Sequence, residues 1–208
     1  FTPGATGGTL LALLHLVERD REIVVEAPIY EPMLRQAERL ARVRRFRREP
    51  ADGWKLDPGR VRDLLSDRTG AVMITEPANP SGTMAGRDDV IAVADAAAGV
   101  GAWLVVNEVY RGFTQAPSFH GERENIVVVS SLSKLLGTYW ARLGWISGPA
   151  DVVDRLHEIG DQRPHVPVTV LGVADHTTQS ARTDHLRHSD GSRPSACRPF
   201  ERLHEFQP

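Results

Sequence analysis

The feature that most constrains the fold is a regular alternation of strand-like and helical segments along the chain. Strand patterns, most of them rich in Val and Ile, occur at 22–28, 42–46, 71–77, 102–110, 125–131 and 143–149. Helical patterns lie at 7–19, 31–41, 57–67, 86–101 and 150–160. Continuous apolar strands separated by helices are typical of a sheet that is covered on both faces. The sequence therefore predicts an α/β fold, a three-layer α/β/α arrangement with a mostly parallel sheet.

Size and charge bound the classes of protein to which the chain can belong. The 208 residues, 41% of them hydrophobic, suit one globular domain with a sizeable core. The formal net charge of −2 gives no case for binding nucleic acid or an anionic membrane. Seven arginines crowd residues 35–48 without interleaved aromatic residues, which favours a solvated helix face and a charged edge strand. No apolar run approaches the roughly 20 residues of a membrane span.

The two ends of the sequence differ from its middle. The chain begins at Phe1 inside a "TPGATGG" turn, which suggests a piece of a longer protein. After about Leu171 large apolar residues are few, and five of the eight histidines lie beyond residue 160 without zinc-ligand spacing. We therefore expect a domain at 1–160, a poorly packed or degenerate tail at 161–208, and no metal site. The single cysteine, Cys197, excludes an internal disulfide framework and favours a cytoplasmic location.

One lysine stands out against the arginine bias of the chain. Only two of the 25 basic residues are lysines, Lys55 and Lys134. Lys134 lies in "SLSK", eight residues before Arg142. A guanidinium stays protonated, whereas a lysine amine can lose its proton and form a Schiff base with an aldehyde. The position of Lys134 thus suggests chemistry that arginine cannot perform.

Five polar stretches lie near the predicted carboxyl ends of strands, where α/β sheets usually bind ligands. They are "GAT" (4–6), "APIY" (27–30), "EPANPSG" (76–82), "NEVY" (107–110) and "SLSK" (131–134). The first opens a helix, whose free N–H groups can bind an anion. Each stretch alone also has an ordinary structural explanation, such as a glycine turn, a packed tyrosine or an Asn-Pro turn.

Together these stretches resemble the class I/II aminotransferases, which are fold-type I enzymes dependent on pyridoxal 5′-phosphate. The resemblance covers about residues 1–160 and depends most on "NPSG", the strand ending near Tyr110, and S-x-S-K followed by Arg142. It implies the large, cofactor-binding domain of such an enzyme, with the small domain missing or incomplete. It also implies amino transfer from an amino acid to a 2-oxo acid, and an active site at a homodimer interface.

The resemblance assigns most of the motif residues to the cofactor. Lys134 matches the lysine that forms the Schiff base and later moves a proton during the reaction. The phosphate group would be bound by the backbone at Ala5 and Thr6. Further phosphate contacts would come from the side chains of Ser131, Ser133 and Arg142, and Arg142 offers a bidentate fork.

Four residues match positions around the cofactor ring, and one of them departs from the family. Tyr30 matches the aromatic residue that stacks on the ring, and Asn79 and Tyr110 match the pair that binds the phenolic oxygen. The family has an aspartate where this chain has Asn107, so the usual partner of a protonated ring nitrogen is absent. Losing one member of a buried ion pair costs roughly 3–5 kcal/mol. That cost would slow the reaction by about 10²–10³-fold or more. Glu108 is adjacent but is predicted to face the other side of the strand.

This departure leaves two alternatives to an aminotransferase open. The same scaffold can carry other chemistry that uses pyridoxal phosphate, such as that of a lyase, a decarboxylase or an oxidase. The chain can also be a non-catalytic remnant of the fold. The sequence does not identify an amino-acid substrate.

Overall fold

The structure is a computed structural model, and it describes residues 1–161. The tail predicted from residue 161 therefore lies, apart from its first residue, outside the described part of the chain. Residues 1–161 contain seven strands, at Thr2–Pro3 (β1), Glu22–Ala27 (β2), Arg42–Arg47 (β3), Thr69–Thr75 (β4), Trp103–Asn107 (β5), Ile126–Ser131 (β6) and Leu143–Ser147 (β7). The α-helices lie at Gly4–Leu16 (α1), Glu31–Leu40 (α2), Pro58–Arg62 (α3), Arg87–Ala98 (α4), Leu132–Leu135 (α5) and Ala150–Asp161 (α6).

The strands form one mixed sheet in the order β1-β7-β6-β5-β4-β2-β3. The five strands β3, β2, β4, β5 and β6 run parallel, in agreement with the predicted mostly parallel sheet. In the register of the central pair, Thr75 at the end of β4 lies opposite Asn107 at the end of β5. The carboxyl ends of β4, β5 and β6 therefore meet at one edge of the sheet.

Three features near the ends of the chain differ from the sequence prediction. Strand β7 runs antiparallel to β6, because the segment 132–142 between them holds only the one-turn helix α5 and a 3₁₀ turn and leads the chain straight back along β6. Residues Thr2–Pro3 add a short antiparallel strand that no apolar pattern signalled. Helix α1 begins at Gly4, three residues before the predicted start, so the "GAT" stretch is the first turn of the helix.

Helices cover both faces of the sheet and give the predicted three layers. On one face α1, α2 and α6 pack on the sheet through apolar residues such as Leu13, Met33 and Leu156, which are essentially inaccessible to solvent. On the other face α3 and α4 pack through Val61 and Val90 among others. The strand residues between them are buried on both sides, which explains their continuous Val and Ile runs.

The arginine-rich segment forms α2 and the edge strand β3, as its charge predicts. Most of its arginines are exposed or half-buried. Arg48 is the exception: its side chain is buried, and its Nη2 lies 2.9 Å from Oε2 of Glu26. The expectation of a fully solvated cluster is therefore wrong at Arg48. In residues 1–161, no helix combines the length and apolar character that a bilayer crossing requires.

Candidate active site

A cavity lies at the edge of the sheet where the parallel strands end. It is lined by the ten residues that the sequence motifs indicate, namely Ala5, Thr6, Tyr30, Asn79, Asn107, Tyr110, Ser131, Ser133, Lys134 and Arg142. Gly4, Thr75, Val109 and Tyr139 complete the lining. The structure thus brings all the predicted residues together, and their roles toward a cofactor remain predictions.

One end of the cavity is formed by the start of α1. No side chain caps this helix and no acidic residue lies in its first turn, so its first N–H groups are available to an anion. Gly4 has a φ of +73°, and a Cβ there would lie 3.3 Å from Nη2 of Arg142. The absence of a side chain at Gly4 therefore lets the guanidinium approach the helix start, where its Nη2 donates to the Pro3 carbonyl at 3.2 Å.

The backbone around Arg142 is held in an uncommon conformation. Arg142 has φ 46° and ψ 34°, the left-handed region that residues with a Cβ rarely occupy. The next strand, β7, presents Gly144 to the start of α1. A Cβ on Gly144 would lie only 2.5 Å from the carbonyl carbon of Gly4. Two glycines thus allow α1, Arg142 and β7 to meet closely, as a compact anion site needs.

Lys134 lies on the short helix α5, directly after β6 ends at Ser131. Ser131 and Ser133 are buried, and the Ser131 side chain makes no capping hydrogen bond. The Lys134 ammonium lies 5.9 Å from the centre of the Tyr110 ring and 5.2 Å from that of Tyr139. Burial lowers the pKa of Lys134, but the Tyr110 and Tyr139 phenols outweigh burial, so that this pKa is raised above its ordinary value. The direction of this pKa shift favours the protonated form of the amine.

Two loops bring polar and aromatic groups over the cavity. The loop after β4 is closed by hydrogen bonds from the Ala78 N–H to the Thr83 carbonyl and from the Gly82 N–H to the Ala78 carbonyl. This closed loop holds Asn79, which is half-buried, at the cavity wall. Tyr30 is the residue before α2 and remains 47% exposed, so its ring has a free face beside the cavity.

Asn107 ends β5 and is buried at the floor of the cavity. Its Oδ1 accepts a hydrogen bond from the Val109 N–H at 3.0 Å, and its Nδ2 donates to the Met33 sulfur at 3.0 Å. The neighbouring Glu108 carboxylate accepts hydrogen bonds from the Ser118 hydroxyl and the Phe119 N–H, both at 2.7 Å. Glu108 therefore does not line the cavity, in agreement with the predicted orientation.

A buried ionic cluster lies behind the cavity wall. The Thr75 N–H donates to Oε1 of Glu26 at 2.5 Å, and the other carboxylate oxygen of Glu26 is 2.9 Å from Arg48. Arg48 also lies 3.8 Å from Glu76, whose Oε1 accepts from the Ala85 N–H. Burial raises the pKa of Glu26 to about 7, against the opposing effect of Arg48. The cluster fixes the end of β4 and so the position of Thr75.

The donor set of the cavity fits pyridoxal 5′-phosphate. Helix N–H groups, two hydroxyls and a guanidinium at one end match the needs of a phosphate group. An aromatic side chain and an amine that can form a Schiff base lie around the same space. Among the described residues, no group of three or more His, Cys, Asp and Glu side chains is arranged to hold a metal ion.

Two lining residues, Thr75 and Tyr139, lie outside the sequence motifs, and Gly4 and Val109 lie inside motifs that assign them no role. Thr75 is the last residue of a strand that reads as continuous core, and its buried hydroxyl has no hydrogen-bond partner among the described residues. Val109 lines the cavity between two polar residues, and Tyr139 belongs to a 3₁₀ turn at Tyr139–Ala141. No sequence signal separates Tyr139 from its neighbour Trp140, which also lies between Lys134 and Arg142 but is 84% exposed and does not line the cavity.

Comparisons with known proteins agree with this geometry. Mouse kynurenine–oxoglutarate transaminase 3 is 26% identical over 188 residues, which are 82% of this chain and 41% of that protein. The probable N-succinyldiaminopimelate aminotransferase of Mycobacterium tuberculosis is 29% identical over 162 residues, 73% of this chain and 41% of that protein. The chain thus spans about two fifths of the length of these curated relatives.

Solved structures and a family profile also identify aminotransferases as similar to this chain. A PLP-dependent aminotransferase from Streptococcus suis superposes with a TM-score of 0.71 and 30% identity, over 77% of this chain and 44% of that one. N-Succinyldiaminopimelate aminotransferase from Mycobacterium tuberculosis superposes with a TM-score of 0.66 and 28% identity, over 76% of this chain and 43% of that one. The profile described as "Aminotransferase class I and II" matches residues 1–187. The chain belongs to the class I and II aminotransferase family.

Proposed function

We propose that this protein transfers an amino group from an amino acid to a 2-oxo acid with pyridoxal 5′-phosphate as its cofactor. The observation that carries this proposal is the single cavity lined by all ten residues that the motifs indicate. When bound, the cofactor supplies an aldehyde for Schiff-base formation and a ring that draws electrons from the substrate. Membership of the aminotransferase family supports the same reaction.

The residues of this chain would divide the work by their position around the cavity. The start of α1, with Ala5 and Thr6, would hold the phosphate together with the side chains of Ser131, Ser133 and Arg142. Lys134 would bind the aldehyde carbon through Nζ. The same Nζ would also move the proton from the substrate α-carbon to the former aldehyde carbon of the cofactor.

Four other residues that line the cavity would orient the cofactor ring. Tyr30 has an exposed aromatic face beside the cavity and would stack on the ring. Asn79 and Tyr110 would hydrogen-bond the phenolic oxygen, which adjusts the pKa of the neighbouring Schiff-base nitrogen. Asn107 would bind the ring nitrogen from the floor of the cavity.

We also propose that the protein acts as a homodimer in the cytoplasm. Large apolar side chains are exposed on the segment between Lys134 and Arg142, namely Leu136 at 59%, Tyr139 at 54% and Trp140 at 84%. Clustered exposed apolar residues of this kind are typical of an interaction surface. The cytoplasmic location is supported by the single cysteine of the sequence.

Product analysis of the PLP-loaded chain with a panel of amino acids tests the reaction. We expect a 2-oxo acid and pyridoxamine phosphate to form in equal amounts. Lys134→Arg should abolish this conversion, because arginine keeps the charge but cannot form the Schiff base. Lys55→Arg, the matched control at an exposed position, should convert substrate like the unmodified protein. Equal conversion by Lys134→Arg would contradict the proposal.

A second chemistry on the same scaffold is favoured by one observation, the neutral Asn107 in place of the aspartate of the family. A weaker electron sink can accompany a different reaction of the substrate. Release of carbon dioxide or ammonia, or consumption of oxygen, would identify a decarboxylase, lyase or oxidase. Cofactor binding with no product of any kind would identify a non-catalytic member of the family.

A further inference from the structure

The hydrogen bonds of Asn107 fix the orientation of its side-chain amide. A backbone N–H can only donate, so the Asn107 atom at 3.0 Å from the Val109 nitrogen must be the oxygen, Oδ1. The Met33 sulfur, a weak acceptor, lies 3.0 Å from the other atom, Nδ2, which agrees with an N–H at that position. The oxygen is thus already engaged by the backbone. The group that remains for a ligand is the second N–H of Nδ2.

None of the described residues that line the cavity carries a negative charge. Its charged lining residues are Lys134 and Arg142, both basic, and no Asp or Glu is among the described residues that line it. The three glutamates at the strand ends are engaged elsewhere, Glu26 and Glu76 with Arg48, and Glu108 with the Ser118 hydroxyl and the Phe119 N–H.

The neighbour of Asn107 on strand β4 does not supply a negative charge either. Thr75 lies opposite Asn107 in the register and adds only a neutral hydroxyl. The bound phosphate would pair with Arg142 at the other end of the cavity, so a protonated ring nitrogen beside Asn107 would have no carboxylate among the described lining residues as its partner. Such a charge is disfavoured wherever it is removed from water.

We propose that the Nδ2–H group of Asn107 donates a hydrogen bond to the cofactor ring nitrogen and so keeps that nitrogen unprotonated at neutral pH. This inference rests on the proposed function, since it requires pyridoxal phosphate in the cavity. It makes Asn107 the residue that sets the electronic state of the ring in this chain. The proton balance is simple, because the neutral ring nitrogen accepts a hydrogen bond and gains no proton.

Nitrogen NMR on the loaded protein tests the inference directly. The full chain is loaded with pyridoxal phosphate that carries ¹⁵N in the ring, and the resonance is followed as the pH is varied across neutrality. We expect the resonance of the unmodified protein to stay at the unprotonated position at pH 7. Asn107→Asp should move it to the protonated position, because aspartate keeps an acceptor for the Val109 N–H and adds an anion toward the ring.

A matched control separates the local effect of residue 107 from the added charge. Asn79→Asp puts the same charge into the same cavity at the position assigned to the phenolic oxygen. It should shift the titration of the ring nitrogen less than Asn107→Asp does. A protonated ring nitrogen in the unmodified protein at pH 7 would overturn the inference, whether or not the variants fold.

Borohydride reduction of the same sample distinguishes failure of the inference from failure of the proposed function. If the cofactor becomes fixed to Lys134 and the ring nitrogen is protonated, the inference alone is wrong. If no cofactor becomes fixed to Lys134, the proposed function is wrong and the inference is lost with it. Fixation at Lys134 together with an unprotonated nitrogen supports both.

Discussion

Replacing Gly144 with alanine is expected to weaken the fold and the anion site together. The new Cβ would lie 2.5 Å from the carbonyl carbon of Gly4, 2.7 Å from its Cα and 2.8 Å from the Ser130 carbonyl oxygen. Carbon atoms in contact are normally about 3.5–4.0 Å apart. Strand β1 and the start of α1 must therefore move by roughly 1 Å, since all three atoms belong to backbone.

The size of both effects follows from this displacement. Overpacking of this kind costs about 1–3 kcal/mol, which lowers the melting temperature of a domain of this size by roughly 2–12 °C. A shift of α1 by 1 Å removes at least one charge-assisted hydrogen bond to a phosphate, a loss of about 1.5–3 kcal/mol. The affinity for pyridoxal phosphate should therefore fall about 10–100-fold.

Thermal unfolding and titration with pyridoxal phosphate, followed by absorbance, measure the two effects. The control is Gly99→Ala at the end of α4, where the backbone is right-handed helical and the nearest atom to the new Cβ is the Ala96 carbonyl oxygen at 3.3 Å. This control should leave the cofactor affinity unchanged. Equal melting temperatures and affinities for the two variants would refute the close-approach argument at Gly144.

Three further perturbations have defined outcomes. Asn107→Asp should raise the rate of the transamination half-reaction by about one to three decades, and an unchanged rate would show that this position does not limit it. The pKa of Glu26 in the folded protein is about 7, above its ordinary value of 4.5. The stabilisation that protonated Glu26 contributes is therefore complete below pH 4.5 and is lost as the pH rises through 7. Between pH 4.5 and 8, the free energy of unfolding should fall by about 3 kcal/mol relative to Glu26→Gln, and parallel curves would contradict this. Tyr139→Phe should lower the pKa of Lys134 and move the pH midpoint of cofactor capture downward, whereas an unchanged midpoint would exclude the Tyr139 phenol as the cause.

Much of the fold could be predicted because its determinants are local. The Val-rich runs of β4, β5 and β6 are buried on both faces, and that burial requires apolar residues at every position. The polar stretches that follow these runs lie at the carboxyl ends of parallel strands, so they converge once the sheet forms. For this reason "EPANPSG", "NEVY" and "SLSK" could be placed at one edge of the sheet from their pattern, whereas "GAT" and Arg142 are assigned through the family resemblance.

Other features could not be predicted because they depend on contacts between distant segments. The burial of Arg48 is explained by Glu26 on the neighbouring strand, and the local arginine-rich pattern contains no trace of that partner. The antiparallel direction of β7 depends on how the chain turns after α5, which apolar periodicity does not encode. The amide orientation of Asn107 depends on the Val109 N–H and the Met33 sulfur, and Met33 is 74 residues away in sequence.

The most direct test of the account is the site of Schiff-base formation. The purified chain is mixed with pyridoxal phosphate, reduced with borohydride and digested, and the peptides that carry the cofactor are identified by mass spectrometry. The chain has only two lysines, so the result has few possible outcomes. We predict a visible absorption band before reduction and a label at Lys134 alone. A label at Lys55, or no labelled peptide from folded protein, would contradict the central claim.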